Sequence, residues 1–189
     1  TLQAIVGGQY YFSHSMFPQI SGEPQYVDSP QSFLSWTGRD EEMKRLGEFP
    51  IRSYVIAASG GGGGMMQLAR FMAVPVGSGA FAVVHTPEYQ IKIFDVAAGS
   101  VVRAFTRKYE RVEPPPLTPE QKKPSMIIDN KPIVVPRPKY SSDISNIIAR
   151  GDKLWVVTST KDPKKGTLID VYDAAGKYID AFYLNIPAA

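Results

Sequence analysis

The chain contains no cysteine among its 189 residues, so disulfides, thiolate catalysis and cysteine-ligated metals are excluded. The sequence patterns GxSxG and HExxH, typical of serine hydrolases and zinc proteases, are also absent. No apolar run approaches the roughly 18 residues that a membrane-spanning helix needs. We therefore assign no catalytic residue, no metal ion and no cofactor, and we expect no transmembrane segment in this chain.

Clustered positive charge is lacking as well. The 21 basic and 18 acidic residues are spread along the chain and leave a net charge of only +3. Binding to a phosphate backbone usually requires clustered lysine and arginine, so we expect no nucleic-acid partner. Hydrophobic residues make up 43% of the chain, which is enough for a packed core.

Helical patterns are scarce, and the best of them, from Glu41 to Phe49, is short and contains Gly47. Short segments rich in Val, Ile, Phe and Tyr and bounded by Gly, Pro, Asp or Asn recur throughout the chain. This pattern is typical of an all-β protein. It predicts about twelve antiparallel strands in three successive sheets, with less than about 15% helix.

Two segments interrupt the strand pattern. A glycine run over residues 59–64 has no side chains to pack, and we expect it to be an irregular loop. No lysine with a serine or threonine follows it as a phosphate-binding loop would require. The second segment, residues 113–139, holds eight of the 16 prolines. Since proline removes hydrogen-bond donors, we predict an extended excursion over the surface and no central strand there.

An internal repeat is visible on either side of that excursion. Residues 81–86 (FAVVHT) align with residues 154–159 (LWVVTS), and the later Asp-containing turns place Gly99 opposite Gly176. A weaker copy lies near the start of the chain. Each copy predicts four antiparallel strands with a tight Gly turn, the pattern of a β-propeller blade. We place the blades at residues 1–58, 65–112 and 140–189 of a single domain.

The motif VVHTPEYQIKIFD (residues 83–95) resembles the strand–turn–strand unit of NHL-type propellers. The last copy, with GDKLWV and a later VYDAAGKYI, is similar to bacterial six-bladed β-propeller proteins of the NHL and TolB type. The resemblance covers roughly residues 80–187. It implies a partial propeller or part of a larger six-bladed ring, and a periplasmic, cell-surface or secreted location whose signal or anchor is not in the given chain.

The repeat brings the two histidines, His14 and His85, to equivalent positions, with Thr158 at the third. This position ends an inner strand, where propeller ligand sites are commonly built, so the three residues are candidates for a ligand site at the channel mouth. The alternative is that each histidine only hydrogen-bonds its own turn. Asp95 and Asp173 belong to the turn motif, where Asp bonds backbone N–H groups.

Two surface features are candidates for binding protein partners: the proline run Pro114, Pro115 and Pro116, and the hairpin lysines Lys161, Lys164 and Lys165. Proline-rich segments lose little entropy on docking because their φ is already restricted. The alternative for the three lysines is that they form a solvated hairpin tip and bind no partner.

These observations favour a non-catalytic interaction or scaffold module, a subunit of an extracytoplasmic complex. The alternative is a propeller hydrolase or a binder of a small molecule or metal at the channel mouth. Three blades leave sheet faces that a closed ring would bury, so Trp155, Tyr172 and Phe182 should be partly bare in an isolated chain. We therefore expect other protein chains as partners and no function as an isolated monomer.

Overall fold

The structure is a computed structural model that describes residues 1–18, 20, 23–38, 42–57, 63–119 and 126–185. Within these ranges there are fifteen β-strands and no helix, so the all-β prediction is confirmed. The strands form three antiparallel sheets of four or five strands and one short hairpin. With no helix in the described ranges, none is present there that could cross a membrane.

The first sheet has five strands in sequential order. They are β1 (Leu2–Val6), β2 (Gln9–Ser15), β3 (Gln25–Trp36), β4 (Lys44–Ala57) and β5 (Gly63–Gln67).

This sheet contains the best helical pattern of the sequence, and it corrects the expectation for the glycine run. The segment with the best helical pattern lies largely in β4. Pairing with β3 satisfies its backbone hydrogen-bonding groups, and Leu46 and Phe49 can face the core. The end of the predicted glycine loop is strand, since Gly63 and Gly64 of β5 pair with Ala57 and Ile56 of β4. A side chain at position 63 would lie 1.9 Å from the Ile56 carbonyl oxygen, which explains why glycine is needed there. Residues 59–62 lie outside the described ranges.

The second and third sheets have four strands each, again in sequential order. The second comprises β6 (Met72–Val76), β7 (Ala80–Val84), β8 (Gln90–Asp95) and β9 (Ser100–Thr106). The third comprises β12 (Ile144–Arg150), β13 (Lys153–Asp162), β14 (Gly166–Asp173) and β15 (Tyr178–Leu184).

The proline-rich segment joins these two sheets, and its described part is not wholly extended. It contains a hairpin of β10 (Met126–Ile128) and β11 (Lys131–Ile133). Asp129 and Asn130 both have positive φ, 50° and 59°, as a tight hairpin turn demands. The segment also packs on itself, because Arg137 donates a hydrogen bond to the Pro115 carbonyl. Residues 120–125 lie outside the described ranges.

The three sheets stack in sequence order, with their first strands at a common centre. Strand β6 lies beside β1 on one side and beside β12 on the other. Because strand order runs outward from these inner strands in every sheet, the arrangement fits a propeller-like architecture.

Successive side chains on a strand point to opposite faces, so each sheet has two faces. We call the face toward the preceding sheet in sequence the leading face and the other the trailing face. Aromatic rings fill the contact between the first two sheets: Phe81 lies 4.6 Å from Tyr11 and 5.1 Å from Phe33, centroid to centroid. Ala82, Val84 and other residues of the opposite face of the second sheet pack against Leu154, Val156 and Tyr172 of the third, in a separate cluster.

Candidate functional site

The outermost faces of the stack carry aromatic residues with no further sheet stacked on them within the described residues. On the first sheet, Tyr10 pairs with Trp36 and Phe12 with Leu34 across β2 and β3. The ring centroids of Tyr10 and Trp36 are 5.8 Å apart, and those of Phe12 and Trp36 are 6.4 Å apart. All four side chains are half-buried. We call Tyr10, Phe12, Leu34 and Trp36 the leading end face.

The opposite end of the stack is the trailing side of the third sheet. Trp155 and Phe182 meet edge to face with centroids 5.2 Å apart, and Arg150 lies over the Trp155 ring at 4.9 Å. Both rings are half-buried, and the neighbouring Ile148 is 43% exposed. We call Ile148, Trp155, Val157 and Phe182 the trailing end face. The expectation that Trp155 and Phe182 are partly bare is confirmed, but the same expectation for Tyr172 is wrong. Tyr172 is 3% exposed because it points the other way, into the contact with the second sheet.

Both end faces reproduce, position by position, the faces that are packed inside the stack. In the strand register, the pair Tyr10–Trp36 corresponds to Phe81–Phe94 of the second sheet and to Leu154–Tyr172 of the third, which are all buried. At the other end, Trp155, Val157 and Phe182 correspond to Ala82, Val84 and Phe105, which pack against the third sheet. Each end face therefore has the residue pattern of a face that is covered by another sheet elsewhere in the stack.

A polar network holds the second and third sheets together. Asp170 is fully buried; its Oδ2 accepts a hydrogen bond of 2.7 Å from the Tyr89 hydroxyl and lies 2.8 Å from Arg107 Nε. The Tyr89 and Tyr172 hydroxyls are 3.0 Å apart, and the Arg107 guanidinium lies over the Tyr89 ring. Burial raises the pKa of Tyr89 and, likewise, that of Tyr172, so both phenols stay neutral donors. Asp170 Oδ1 is buried with no hydrogen-bond partner among the described residues.

A second ion pair supports the same contact from the linking segment. Arg111 Nε donates to Asp143 Oδ1 at 3.0 Å, and Asp143 Oδ2 accepts from the Tyr89 backbone N–H at 2.9 Å. Burial raises the pKa of Asp143, and its bonds to Arg111 oppose that rise. The sequence analysis did not identify these residues. The sequence contains one clue, since Asp170 lies inside an apolar strand where an unpaired charge would be costly.

The three residues predicted to line a channel mouth do occupy equivalent places. The second strand of the three sheets begins at Gln9, Ala80 and Lys153, respectively. His14, His85 and Thr158 each lie five residues after that start. Their side chains have different surroundings. His14 is exposed, and Thr158 donates a 2.9 Å hydrogen bond to the Leu168 carbonyl.

His85 is enclosed between the first and second sheets, 3% exposed, with Nδ1 2.8 Å from the Pro50 carbonyl. Because a carbonyl only accepts, Nδ1 carries the proton and Nε2 holds a lone pair, which has no partner among the described residues. Burial lowers the pKa of His85, so the ring is neutral. It borders a cavity of about 430 Å³ that Asp28, Arg52 and Lys92 also line.

The candidate residues therefore do not converge on one site. His14, His85 and Thr158 border three separate cavities. The Thr158 cavity, about 680 Å³, does bring together two of the predicted partner-binding residues, Pro115 and Lys161. A ligand site at His14, His85 or Thr158 thus stays a prediction, as does the alternative function built on it.

Most of the candidates for partner binding lie at the surface. Pro114 is half-buried, and five of the candidates are exposed: Pro115, Pro116, Lys161, Lys164 and Lys165. The Asp162 carboxylate accepts 2.8 Å hydrogen bonds from the Lys164 and Lys165 backbone N–H groups, so the hairpin is an ordered turn. The Lys165 ammonium lies over the Tyr183 ring, 5.6 Å from its centroid. In the described part of the chain, no group of three or more His, Asp or Glu residues could hold a metal ion.

Comparison with known proteins adds no relative: no protein-family model matches the chain, and a search of curated proteins finds no match. The geometry of the end faces is accordingly the basis for the functional argument.

Proposed function

We propose that this chain is a non-catalytic protein-interaction module that docks onto other protein through the two end faces of its propeller-like stack. The observation that supports it is the correspondence of both end faces with faces that are buried between the sheets. Half-exposed tryptophan, tyrosine and phenylalanine gathered on one face are typical of protein interfaces, where such rings bury a large area at low entropic cost.

The inter-sheet contacts make the module a firm platform. The Asp170 network and the ion pair of Arg111 with Asp143 join the second sheet to the third and to the linking segment. Because the buried carboxylates Asp170 and Asp143 each pair with a partly exposed arginine at this contact, the stack has a preferred arrangement of its sheets. The two end faces are consequently presented at a defined separation, which suits a subunit that organises partners.

Two further parts of the proposal depend on the sequence resemblance. These are membership of the bacterial six-bladed propeller group and a place outside the cytoplasm as a subunit of a complex. The absence of cysteine is compatible with that compartment and does not distinguish it from others.

Site-specific photo-crosslinking in cells that naturally make the protein tests the function. A photoreactive phenylalanine analogue replaces Phe12 on the leading end face, Trp155 on the trailing end face, or Tyr183 as the control. Tyr183 is an aromatic residue of β15, 39% exposed and outside both end faces. We expect crosslinks to protein from positions 12 and 155 well above those from position 183. Equal, low crosslinking at all three positions would contradict the proposal.

A further inference from the structure

We propose that the occupant of each end face is the opposite end face of a second copy of this chain, so that two copies close head to tail into a ring of six sheets. This inference rests on the proposed function and names the partner. The residues that carry it are the leading end face, with Tyr10, Phe12 and Trp36, and the trailing end face, with Trp155 and Phe182.

The first step is that the two end faces are of the two types, leading and trailing, that pack together inside the stack. Inside the stack, every contact joins the trailing face of one sheet to the leading face of the next. Among the described residues, one face of each kind has no other sheet stacked on it, and these two faces are at opposite ends of the stack. A trailing end face therefore meets its normal type of partner when it meets the leading end face of another copy.

The second step concerns which residues would meet. At the contact of the second and third sheets, Phe105 of the trailing face packs on Tyr172 of the leading face, with ring centroids 5.1 Å apart. Phe182 and Trp36 occupy the corresponding positions at the two ends. The same geometry between copies brings Phe182 of one onto Trp36 of the other and buries the half-exposed rings on both sides.

The third step is closure. A head-to-tail contact is heterologous, and it gives a ring if the rotation per unit closes and an open filament if it does not. Propellers typically close with about four to eight sheets. Each copy supplies three stacked sheets, so a ring of two copies, with six sheets, is the only one whose number of sheets falls in this range. The inner strands β1 and β12 of different copies would then be neighbours, as β1 and β6 are within one copy.

Sedimentation of the purified chain over a range of concentrations is the first measurement. We expect a closed species of twice the 20.8 kDa chain mass with no larger assemblies. Phe12→Asp and Trp155→Asp should each raise the dissociation constant of the dimer more than about tenfold. Val102→Asp is the control, because Val102 is 59% exposed on β9 and belongs to neither end face.

Mixing the two variants identifies the head-to-tail geometry. A mixed pair of Phe12→Asp and Trp155→Asp chains has both substitutions in one contact and leaves the other contact native. Mixing should therefore restore association that neither variant shows alone. If like faces met instead, one variant would be without effect and mixing would restore nothing, which overturns the proposal.

Crosslinking keeps the test valid if a charged variant fails to fold. The chain has no cysteine, so Phe12→Cys and Trp155→Cys each introduce a single thiol. A short bismaleimide should join one variant to the other and not to itself. A stable monomer at every concentration, or an extended polymer, overturns the proposal. If photo-crosslinking in cells still captures a different protein at positions 12 and 155, the interaction function survives and only the second-copy inference fails.

Discussion

The buried histidine and the exposed histidine show how much the surroundings of a residue decide. His14 and His85 hold the same place in the strand register, five residues after Gln9 and Ala80. His85 packs beside the Phe49 ring at 5.3 Å and bonds the Pro50 carbonyl, whereas His14 is exposed. The difference arises because the first sheet packs on that face of the second sheet, whereas no sheet among the described residues covers the corresponding face of the first.

Protonation of His85 should weaken the contact between the first two sheets. Burial holds its pKa below 6.5 in the folded chain, and nearby Lys92 lowers that pKa further. The stability that the neutral ring contributes is therefore complete above about pH 6.5, the pKa of an unfolded histidine, and is lost as pH falls through the folded pKa. Protonation would also place a second N–H in a buried position that has no acceptor among the described residues.

The measurement is the free energy of unfolding by urea at pH 7.5, 6.5 and 5.5. His85→Gln should remove part of the loss in stability that the native chain shows on acidification. His14→Gln is the matched control and should leave the pH profile unchanged. Identical pH profiles for native and His85→Gln chains would contradict the assignment of the buried neutral ring.

At the scale of elements, the tight turns do more than reverse the chain. The turn between β14 and β15 holds Gly176 at φ 79°, where a Cβ would lie 2.7 Å from the Phe105 ring of β9. Gly151, between β12 and β13, has a similar φ of 60° and open space around it. Gly151 is needed only for its positive φ. Gly176 also lets a turn of the third sheet pack against β9, the outer strand of the second sheet.

Alanine substitutions separate these two requirements. Gly151→Ala should cost about 1 kcal/mol of unfolding free energy, the strain of a left-handed residue with a side chain. Gly176→Ala should cost about 1–3 kcal/mol more, because the added methyl also overlaps the Phe105 ring. Chemical denaturation of both variants checks the difference. Equal costs would show that the turn does not pack on Phe105.

At the scale of the whole molecule, the sheets differ in how many of their faces are covered. Both faces of the second sheet are packed, against the first sheet on one side and the third on the other. The first and third sheets each keep one end face that no other sheet in the described structure covers. Local opening is governed by such buried contacts, so the outer sheets should open more readily than the middle one.

Amide hydrogen exchange on dilute, monomeric protein measures this directly. We expect the slowest exchange in β7 and β8 and faster exchange in β3 and β13. Raising the protein concentration until the chain associates should slow β3 and β13 and leave β7 and β8 unchanged. Uniform protection of all three sheets in the monomer would mean that the end faces are covered within one chain, contrary to the proposed role of those faces.

The sequence by itself determined the fold class and the strand units, because both depend on local patterns. Short segments rich in Val, Ile, Phe and Tyr, the turn residues between them and the alignment of residues 81–86 with 154–159 were enough to identify the antiparallel sheets and the equivalence of His14, His85 and Thr158. The glycine run and the segment from Glu41 to Phe49 were less predictable. Pairing with a distant strand outweighs local preference, as β4 and β5 show.

Only the tertiary structure decided which of the equivalent residues are buried, which are paired and which stay half-exposed. Asp170 pairs with Tyr89, just before β8, and with Arg107, just after β9; these residues are 81 and 63 positions away in the sequence, so nothing local predicts them as partners. Tyr172 is enclosed and Trp155 half-exposed although both lie on the same two paired strands. The physical reason is that the faces of a strand alternate by residue, while the stacking order of the sheets determines which face is covered.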